Sequence, residues 1–300
     1  MENCLNLYEI SELSVELEEN FRKEFFNKAL VSFGSQYKLA GYLGVGQFTV
    51  SRWFNGKFLI PVKTLLKINE SVKMDTRLIE VKVIRIGSAQ GSLPVKRSLP
   101  IAIDGNLAYL MGLIITDGHI DKNLAWVEFV NNQKHLRSIF MENIEKIFNH
   151  KNFYIYQKNE MQVYVKNKTI STIFHELGIP KGKKFDIVKV PEKIKKSSIE
   201  IKKCFLRGCF DGDGSVAYTK RQGLRIVNYA TSSRKMAEGI SEILKELEIR
   251  NSVIKNKNDM YYINITGRDE IEKFQRLVGF KHPKRSEKLE EILNSYKKPS

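Results

Sequence analysis

From residue 106 onward, two spacings of apolar residues alternate along the chain. Stretches with an apolar residue at every third or fourth position, typical of helices, are separated by stretches in which every second residue is apolar, typical of strands. Gln162, Tyr164 and Lys166 would share the outer face of one such strand. The pattern predicts a helix at 106–117, a hairpin at 119–131, a helix at 133–148, a hairpin at 153–166 and a helix at 169–177.

This series of elements occurs twice. Residues 107–118 (Leu-Ala-Tyr-Leu-Met-Gly-Leu-Ile-Ile-Thr-Asp-Gly) match residues 203–214 (Lys-Cys-Phe-Leu-Arg-Gly-Cys-Phe-Asp-Gly-Asp-Gly), and the matched stretches lie 96 residues apart. An internal repeat of this kind predicts two copies of one structural unit. We therefore expect an α+β protein with two pseudo-symmetric αββαββα repeats, at 106–190 and 200–295.

The N-terminal third has a different pattern. Residues 12–32 have apolar residues at helical spacing, and 36–53 predict two short helices with a turn at Gly44. We expect an all-α helix-turn-helix unit at 1–70. Residues 71–105, which include a stretch rich in Gly, Ser and Pro, are expected to be a linker.

The end of each repeated apolar helix carries an acid. Asp117 and Asp213 both precede a glycine of the kind that ends helices in a left-handed conformation, yet a carboxylate is unfavourable at the negative end of a helix. Gly112 and Gly208 would let the two helices pack closely, which would bring the two acids together. A divalent cation would remove their repulsion, and Mg²⁺ prefers oxygen ligands such as carboxylates and phosphates. The alternative is that each Asp-Gly pair is only a helix-ending turn.

Composition narrows the choice of partner. The net charge is +16, and both 31–100 (+8) and 101–300 (+12) are basic, which favours a polyanion such as nucleic acid. The three cysteines form no CxxC pair and the histidines lack zinc-binding spacing. No stretch is apolar enough for a membrane span, and no secretory signal is present, so we expect an intracellular protein with no membrane role.

The two acidic segments resemble the signature motifs of the LAGLIDADG homing endonucleases, at 110–118 (Leu-Met-Gly-Leu-Ile-Ile-Thr-Asp-Gly) and 206–214 (Leu-Arg-Gly-Cys-Phe-Asp-Gly-Asp-Gly). The resemblance covers about 101–290 and implies a saddle built from two repeats. It implies that Asp117 and Asp213 are catalytic and bind Mg²⁺, or another divalent cation such as Mn²⁺. The main-chain carbonyls of Thr116 and Gly212 are the implied companion ligands.

The resemblance also implies basic residues near the end of each repeat that stabilise charge at the scissile phosphate. The register nominates Lys183 and Lys284 as catalytic residues, with Lys184 as a substitute. On the outer sheet faces, donors suited to base edges and phosphates nominate a set for DNA contact. This set consists of Lys122, Tyr164, Lys166, Lys220, Arg225, Tyr262 and Asn264.

The segment 36–53 resembles the phage-repressor (Cro-like) family, whose second helix enters the major groove. The resemblance nominates residues of that helix, together with one phosphate contact at the start of the first. They are Gln47, Phe48, Thr49, Ser51 and Arg52, with Gln36 toward the phosphate. The alternative is a helical hairpin used only for packing.

These features together predict a monomeric, Mg²⁺-dependent endonuclease that cuts double-stranded DNA at a long, near-palindromic site. One alternative is a catalytically silent, DNA-binding transcriptional regulator, and another is a maturase that binds intron RNA. The chain ends in Lys-Lys-Pro-Ser without the His-Asn of inteins, so we expect a freestanding or intron-encoded protein.

Overall fold

A computed structural model of the chain describes residues 3–88, 93–158, 160–184 and 187–296. The N-terminal region combines helices with short strands. Its elements are β1 (Cys4–Leu5), a 3-10 turn (Leu7–Ile10), β2 (Ser14–Leu17), α1 (Glu19–Phe33), α2 (Gln36–Leu43), α3 (Gln47–Phe54), β3 (Ile60–Pro61), α4 (Val62–Val72), α5 (Thr76–Val81), β4 (Val83–Gly87) and β5 (Ile101–Ala102).

The expectation of an all-α N-terminal unit is wrong. Strand β2 lies at the centre of a three-stranded antiparallel sheet with the order β3-β2-β4. Leu13, which directly precedes this strand, and Val15 and Leu17 within it are all buried. Their spacing of two residues is that of a strand, and the helix begins only at Glu19.

Helices α2 and α3 lie where the helix-turn-helix pattern placed them. Ser35 caps α2 by accepting a hydrogen bond from the Lys38 amide, and Gly44 ends the helix in the left-handed region (φ 69°). Buried Leu39, Val50 and Trp53 pack this pair of helices into the core. Its role in DNA binding remains a prediction.

The segment predicted to be a linker, 71–105, contains regular structure on both sides of 89–92, which lie outside the described residues. Strand β4 pairs with β2, and β5 pairs with β1 through Leu5↔Ile101 and Cys4↔Ala102. Lys193 Nζ, from beyond the first repeat, donates to the Cys4 carbonyl (2.8 Å) and forms an ion pair with Glu9 (2.6 Å). Both strand pairs lie within the N-terminal region, and the contacts of Lys193 join that region to the segment between the two repeats.

The first repeat has the predicted αββαββα order. Its elements are α6 (Gly105–Asp117), β6 (Gly118–Ile120), β7 (Val127–Val130), α7 (Lys134–Phe148), β8 (Tyr154–Lys158), β9 (Glu160–Val165) and α8 (Lys168–Glu176). The strands form one antiparallel sheet with the order β6-β7-β9-β8. Phe129, Val163 and Val165 are fully buried on its helix-covered face.

The second repeat has the same topology and follows a short helix, α9 (Glu192–Lys195). Its elements are α10 (Ile199–Asp213), β10 (Gly214–Thr219), β11 (Leu224–Thr231), α11 (Arg234–Glu246), β12 (Ser252–Lys255), β13 (Tyr261–Thr266) and α12 (Arg268–Leu277), followed by α13 (Pro283–Asn294). The sheet order is β10-β11-β13-β12, equivalent to that of the first repeat. The mixed α/β architecture and the internal repeat are thus as predicted.

Helices α6 and α10 pack backbone against backbone. A Cβ atom added to Gly112 would lie 2.4 Å from the Phe205 carbonyl oxygen, and one added to Gly208 would lie 2.2 Å from the Tyr109 carbonyl oxygen. Only glycine permits this approach at either position, as the sequence pattern indicated. Of the helices in the described ranges, none is long and apolar enough to cross a membrane.

Candidate active site

The C-terminal ends of α6 and α10 lie side by side. A Cβ atom on Gly212 would be 2.0 Å from Thr116 Oγ1, so the residues just before Asp117 and Asp213 are in contact. The glycines that follow the two acids are not left-handed, contrary to our expectation, because Gly118 (φ −101°) and Gly214 (φ −77°) are extended. They are needed for space, since a Cβ on Gly118 would lie 2.6 Å from Ile114 Cα and one on Gly214 would lie 2.4 Å from the Phe210 carbonyl oxygen.

Two cavities flank this contact, and each is lined by both repeats. One, of about 310 Å³, is lined by Asp117 of the first repeat and Gly212 of the second. The other, of about 330 Å³, is lined by Asp213 of the second repeat and Thr116 of the first. Each carboxylate therefore shares a cavity with the residue that precedes the carboxylate of the other repeat.

The two carboxylates have different surroundings. Asn131 Nδ2 donates a hydrogen bond to Asp117 Oδ2 (2.7 Å). Burial raises the pKa of the Asp117 carboxyl, and Asn131, Arg285 and Lys184 oppose that rise. Asn131 was not among the predicted site residues, although its position directly after strand β7 places it beside the end of α6.

Asp213 receives no hydrogen bond from any residue that the structure describes. Asp213 is exposed to solvent along one side and lines the second cavity together with residues of the first repeat. This partial burial, followed by the negative charge of Asp117, raises the pKa of Asp213 to about 6. The free energy of this site would fall if a further positive charge entered it.

A lysine and an arginine occupy equivalent places at the two helix ends. Lys184 Nζ donates to the carbonyl oxygens of Ile115 (2.7 Å) and Thr116 (2.6 Å) in α6. Arg285 donates to the carbonyl oxygens of Phe210 (2.7 Å) and Gly212 (2.8 Å) in α10. Burial lowers the pKa of Lys184 to about 8, although Asp213 and Asp117 favour its charged form.

Lys184 and Arg285 each stand one position after a residue that was predicted to be catalytic. Lys183 and Lys284 are exposed, whereas Lys184, named as the substitute, and Arg285 contact the helix ends. Lys184 lies in an irregular segment, where no period of side-chain direction applies, so the sequence could not indicate which of the two lysines points inward. Arg285 lies in the first turn of α13, a helix that the predicted αββαββα repeat does not include.

Asp211 is a positioning residue in the second repeat. It is fully buried, and it accepts hydrogen bonds from the Tyr109 hydroxyl (2.7 Å) and from the amides of Lys281 and His282 (both 2.9 Å). These bonds fix the segment that precedes α13, on which Arg285 lies. The equivalent residue of the first repeat is Ile115, which is buried and apolar.

The residues present fit a divalent cation. Within the described ranges, no three His, Cys, Asp or Glu side chains form a group that could hold a metal ion. However, burial and the negative charge of Asp117 raise the pKa of Asp213, and the two residues whose main-chain carbonyls could serve as further ligands, Thr116 and Gly212, line the same two cavities. Hard oxygen ligands of this kind suit Mg²⁺ or Mn²⁺.

The nominated DNA-contact residues of the repeats divide into three groups. Tyr164 projects from the first sheet, and Tyr262 and Asn264 project from the second, in each case on the face opposite the buried residues. Lys166 follows β9, and its ammonium group lies over the Tyr154 ring (4.3 Å). Lys122 and Lys220 are exposed in the turns of the first hairpins. Arg225 differs from the others, because strand alternation places it on the helix-covered side, where it donates to Ser295 Oγ (2.7 Å) and its guanidinium lies over the Tyr296 ring (4.7 Å). Its nomination for DNA contact stays a prediction.

In the N-terminal region, Gln36 begins α2 and Gln47 begins α3. Phe48 is exposed (68%), Thr49 and Ser51 are half-buried, and the Arg52 guanidinium lies over the Phe48 ring (4.2 Å). The Arg52 guanidinium also lies over the Phe58 ring (4.5 Å). The helix therefore presents an exposed surface of cationic and aromatic groups.

Two family models match the chain. Residues 106–184 match the WhiA LAGLIDADG-like domain, and residues 200–279 match the LAGLIDADG-like domain. These ranges coincide with the two structural repeats.

Several curated proteins are similar to part of this chain. Replication factor C small subunit of Thermococcus kodakarensis is 34% identical over 214 residues, which are 69% of this chain and 23% of that protein. The protein of the same name from Methanocaldococcus jannaschii is 31% identical over 62% of this chain and 10% of its own length. The tRNA-splicing ligase RtcB of Methanopyrus kandleri is 24% identical over 68% of this chain and 23% of its own length. The chain thus spans less than a quarter of each of these relatives.

Among solved structures, the complex of the homing endonuclease I-DmoI with DNA and Mn has a TM-score of 0.45 and 20% identity, covering 59% of this chain and 97% of that one. Full-length DUF199/WhiA from Thermatoga maritima has a TM-score of 0.47 and 15% identity, covering 66% of this chain and 63% of that one.

Proposed function

Because the chain contains two LAGLIDADG-like domains, we propose that it is a monomeric, metal-dependent endonuclease that cuts double-stranded DNA at a specific site. The observation that carries the proposal is the pair of cavities at the ends of α6 and α10. Each contains one carboxylate and the residue that precedes the other carboxylate. Two equivalent sites in one chain suit the hydrolysis of two strands.

In this proposal, Asp117 with the Gly212 carbonyl, and Asp213 with the Thr116 carbonyl, hold divalent cations. A bound Mg²⁺ or Mn²⁺ would activate the attacking water and neutralise charge on the phosphate oxygens. Asn131 fixes the orientation of the Asp117 carboxylate through its hydrogen bond. Lys184 and Arg285 bring positive charge to the same two cavities, where they would attract a phosphate group.

The positive net charge of +16 supports a nucleic-acid substrate. The outward sheet faces that carry Tyr164, Lys166, Tyr262 and Asn264 would lie along the duplex, and α3 of the N-terminal region would bind DNA beyond the cleavage site. The relatives support a mobile element, since a segment similar to this chain recurs in proteins as unlike as a replication factor and a tRNA-splicing ligase and occupies less than a quarter of each.

A second candidate function is that of a DNA-binding regulator without catalysis. Two observations favour it. The first repeat matches the WhiA LAGLIDADG-like domain, and Lys184 and Arg285 already bind the carbonyl oxygens that a metal would need. The presence of both carboxylates in equivalent cavities favours the endonuclease.

Cleavage of a randomised duplex library in Mg²⁺ tests the proposal. We expect the wild-type protein to cut a defined subset of duplexes, and the Asp117→Asn/Asp213→Asn double variant to bind that subset while cleaving it at least about 1,000-fold more slowly. The matched control is Asp259→Asn, which alters only an exposed ion pair with Lys255 and should cut normally. If the wild-type protein binds specific duplexes and cuts none of them, the regulator becomes the better description.

A further inference from the structure

A tyrosine of the first repeat reaches across to the second without touching the candidate site. Tyr109 lies on α6, about two helical turns before Asp117, and it is not among the described residues that line the two cavities. Its hydroxyl donates to Asp211 Oδ2 of α10 (2.7 Å), and both side chains are buried. Burial raises the pKa of Tyr109, so the hydroxyl stays protonated and acts as a donor.

Further contacts connect this hydrogen bond to the start of α13. The amides of Lys281 and His282 donate to Asp211 Oδ1 (both 2.9 Å), and the Lys281 ammonium lies over the Tyr109 ring (4.3 Å). His282 is the N-cap of α13, and Arg285 lies in the first turn of that helix. Tyr109 is thus linked to the beginning of α13 through one carboxylate and two amides.

The beginning of α13 determines where Arg285 lies. Its guanidinium donates to the carbonyl oxygens of Phe210 (2.7 Å) and Gly212 (2.8 Å) in α10. It also lines the cavity that contains Asp117, as does the cap residue, His282. Because Arg285 is within one turn of the cap, a shift of the cap displaces the guanidinium from this cavity.

The other cavity has no equivalent link among the residues that the structure describes. Ile115 stands in α6 where α10 has Asp211. Phe205 stands in α10 where α6 has Tyr109. Lys184, which lines that cavity, reaches its carbonyl oxygens from an irregular segment. The two basic residues are therefore held differently, and a change at the tyrosine hydroxyl affects one cavity alone.

We propose that Tyr109 is a positioning residue for the cleavage of one of the two DNA strands, because it holds Arg285 in the cavity that contains Asp117. This role rests on the proposed function, in which each cavity cuts one strand. The hydroxyl itself makes no contact at the phosphate. Its loss leaves the buried Asp211 carboxylate with the two amides alone, which loosens the start of α13. The contacts of Lys184 stay as they are.

Cleavage of a bound duplex that carries a different label on each strand tests this role. The wild-type protein in Mg²⁺ should cut both strands, and Arg285→Met should slow the cut in one of them. Tyr109→Phe should slow that same cut by about 10- to 100-fold, the usual effect of losing a group that orients a site residue, so that nicked duplex accumulates. The double variant should be no slower than Arg285→Met, since the hydroxyl acts through the guanidinium.

Two further variants complete the comparison. Tyr8→Phe is the matched control, because it removes an exposed hydroxyl that is hydrogen-bonded to Thr76 in the N-terminal region (3.0 Å), and it should change neither cut. Asp211→Asn keeps one acceptor oxygen for the two amides, and it should slow the same strand as Tyr109→Phe, but less. It serves as the test if Tyr109→Phe does not fold.

Hydrogen exchange of main-chain amides, measured by NMR, gives a second readout that requires no cleavage. In Tyr109→Phe the amides of Lys281 and His282 should exchange at least about 10-fold faster than in the wild-type protein, because local opening of this segment becomes easier. The amide of Gly182, which donates to the Ile120 carbonyl in the loop before Lys184 (2.8 Å), should exchange as before.

The outcomes separate the two proposals. Unchanged exchange at 281–282, equal slowing of both strands, or wild-type rates on both strands would each overturn the role of Tyr109, although the protein would remain an endonuclease. A wild-type protein that binds specific duplexes and cuts neither strand would overturn the endonuclease. Exchange at 281–282 would then still decide whether Tyr109 holds the start of α13.

Discussion

Lys184 and Arg285 cap the C-terminal ends of the two helices that carry the carboxylates. The last carbonyl groups of a helix bear partial negative charge, so an aspartate there is unfavourable by a few tenths of a kcal/mol or more. Both cations bind those same carbonyl groups and lie close enough to oppose the raised pKa of Asp213. The acidic helix end is thus balanced by residues from a distant part of each repeat, which local sequence patterns could not reveal.

Asp213 should make the stability of the metal-free protein fall as the pH rises. Its pKa is about 6 in the folded chain and 3.8 ordinarily, so between these values the folded state binds more protons than the unfolded state, and ionisation costs stability. Asp213→Asn removes that cost. In EDTA at about pH 7 the variant should melt at a higher temperature than the wild-type protein, and the difference should vanish near pH 4.

The control for this measurement is Asp259→Asn. Lys255 lowers the pKa of Asp259, so this substitution should not raise the melting temperature at any pH in that range. A melting-temperature difference for Asp213→Asn that is independent of pH would mean that ionisation is not its cause.

The packing of α6 on α10 allows no side chain at its centre. Gly112→Ala and Gly208→Ala would each place a Cβ atom against backbone, at 2.4 and 2.2 Å from a carbonyl oxygen. Each substitution should reduce the free energy of unfolding by about 1–3 kcal/mol or more, because two helix backbones must separate. Urea denaturation measures this directly.

Gly41→Ala is the matched control for the glycine substitutions. Gly41 also lies within a helix, α2, but its added Cβ would have no atom within 4 Å. Alanine should stabilise that helix by about 0.5–1 kcal/mol. If all three alanine variants were equally stable, close helix approach would not be the reason for the glycines.

The elements of the repeats were predictable because each is long enough to show its period. Helix α6 was expected at 106–117 and is found at Gly105–Asp117. In contrast, β2 has only four residues and β3 only two, which is too short for an alternation to be told from the start of a helix. Strand β2 forms because β4, more than 60 residues away, pairs with it, and long-range pairing of this kind overrides local preference.

One continuous apolar core runs through the N-terminal region and both repeats. The sequence contains two tryptophans, and they report on different parts of it. Trp53 lies in α3, and Trp126 lies beside strand β7 of the first repeat. Two variants, Trp126→Phe and Trp53→Phe, therefore each leave one fluorescent reporter.

We expect the two single-tryptophan variants to unfold at the same urea concentration, within about 0.5 M of each other once each is corrected for its own stability by circular dichroism. The reason is that the N-terminal region shares one apolar core with the repeats and is joined through Lys193 to the segment between them. Glu9→Gln, which removes the ion pair with Lys193, serves as a comparison. Two well-separated transitions in the wild-type background would show that the N-terminal region unfolds by itself.

The pairing of β1 with β5 also sets an order of events during synthesis. Residues 4–5 emerge from the ribosome almost a hundred residues before their partners at 101–102. At about 5–20 residues per second, this strand waits on the order of 5–20 s for its partner. During that interval the nascent chain has an open strand edge, so a chaperone that covers such edges should increase the yield of folded protein.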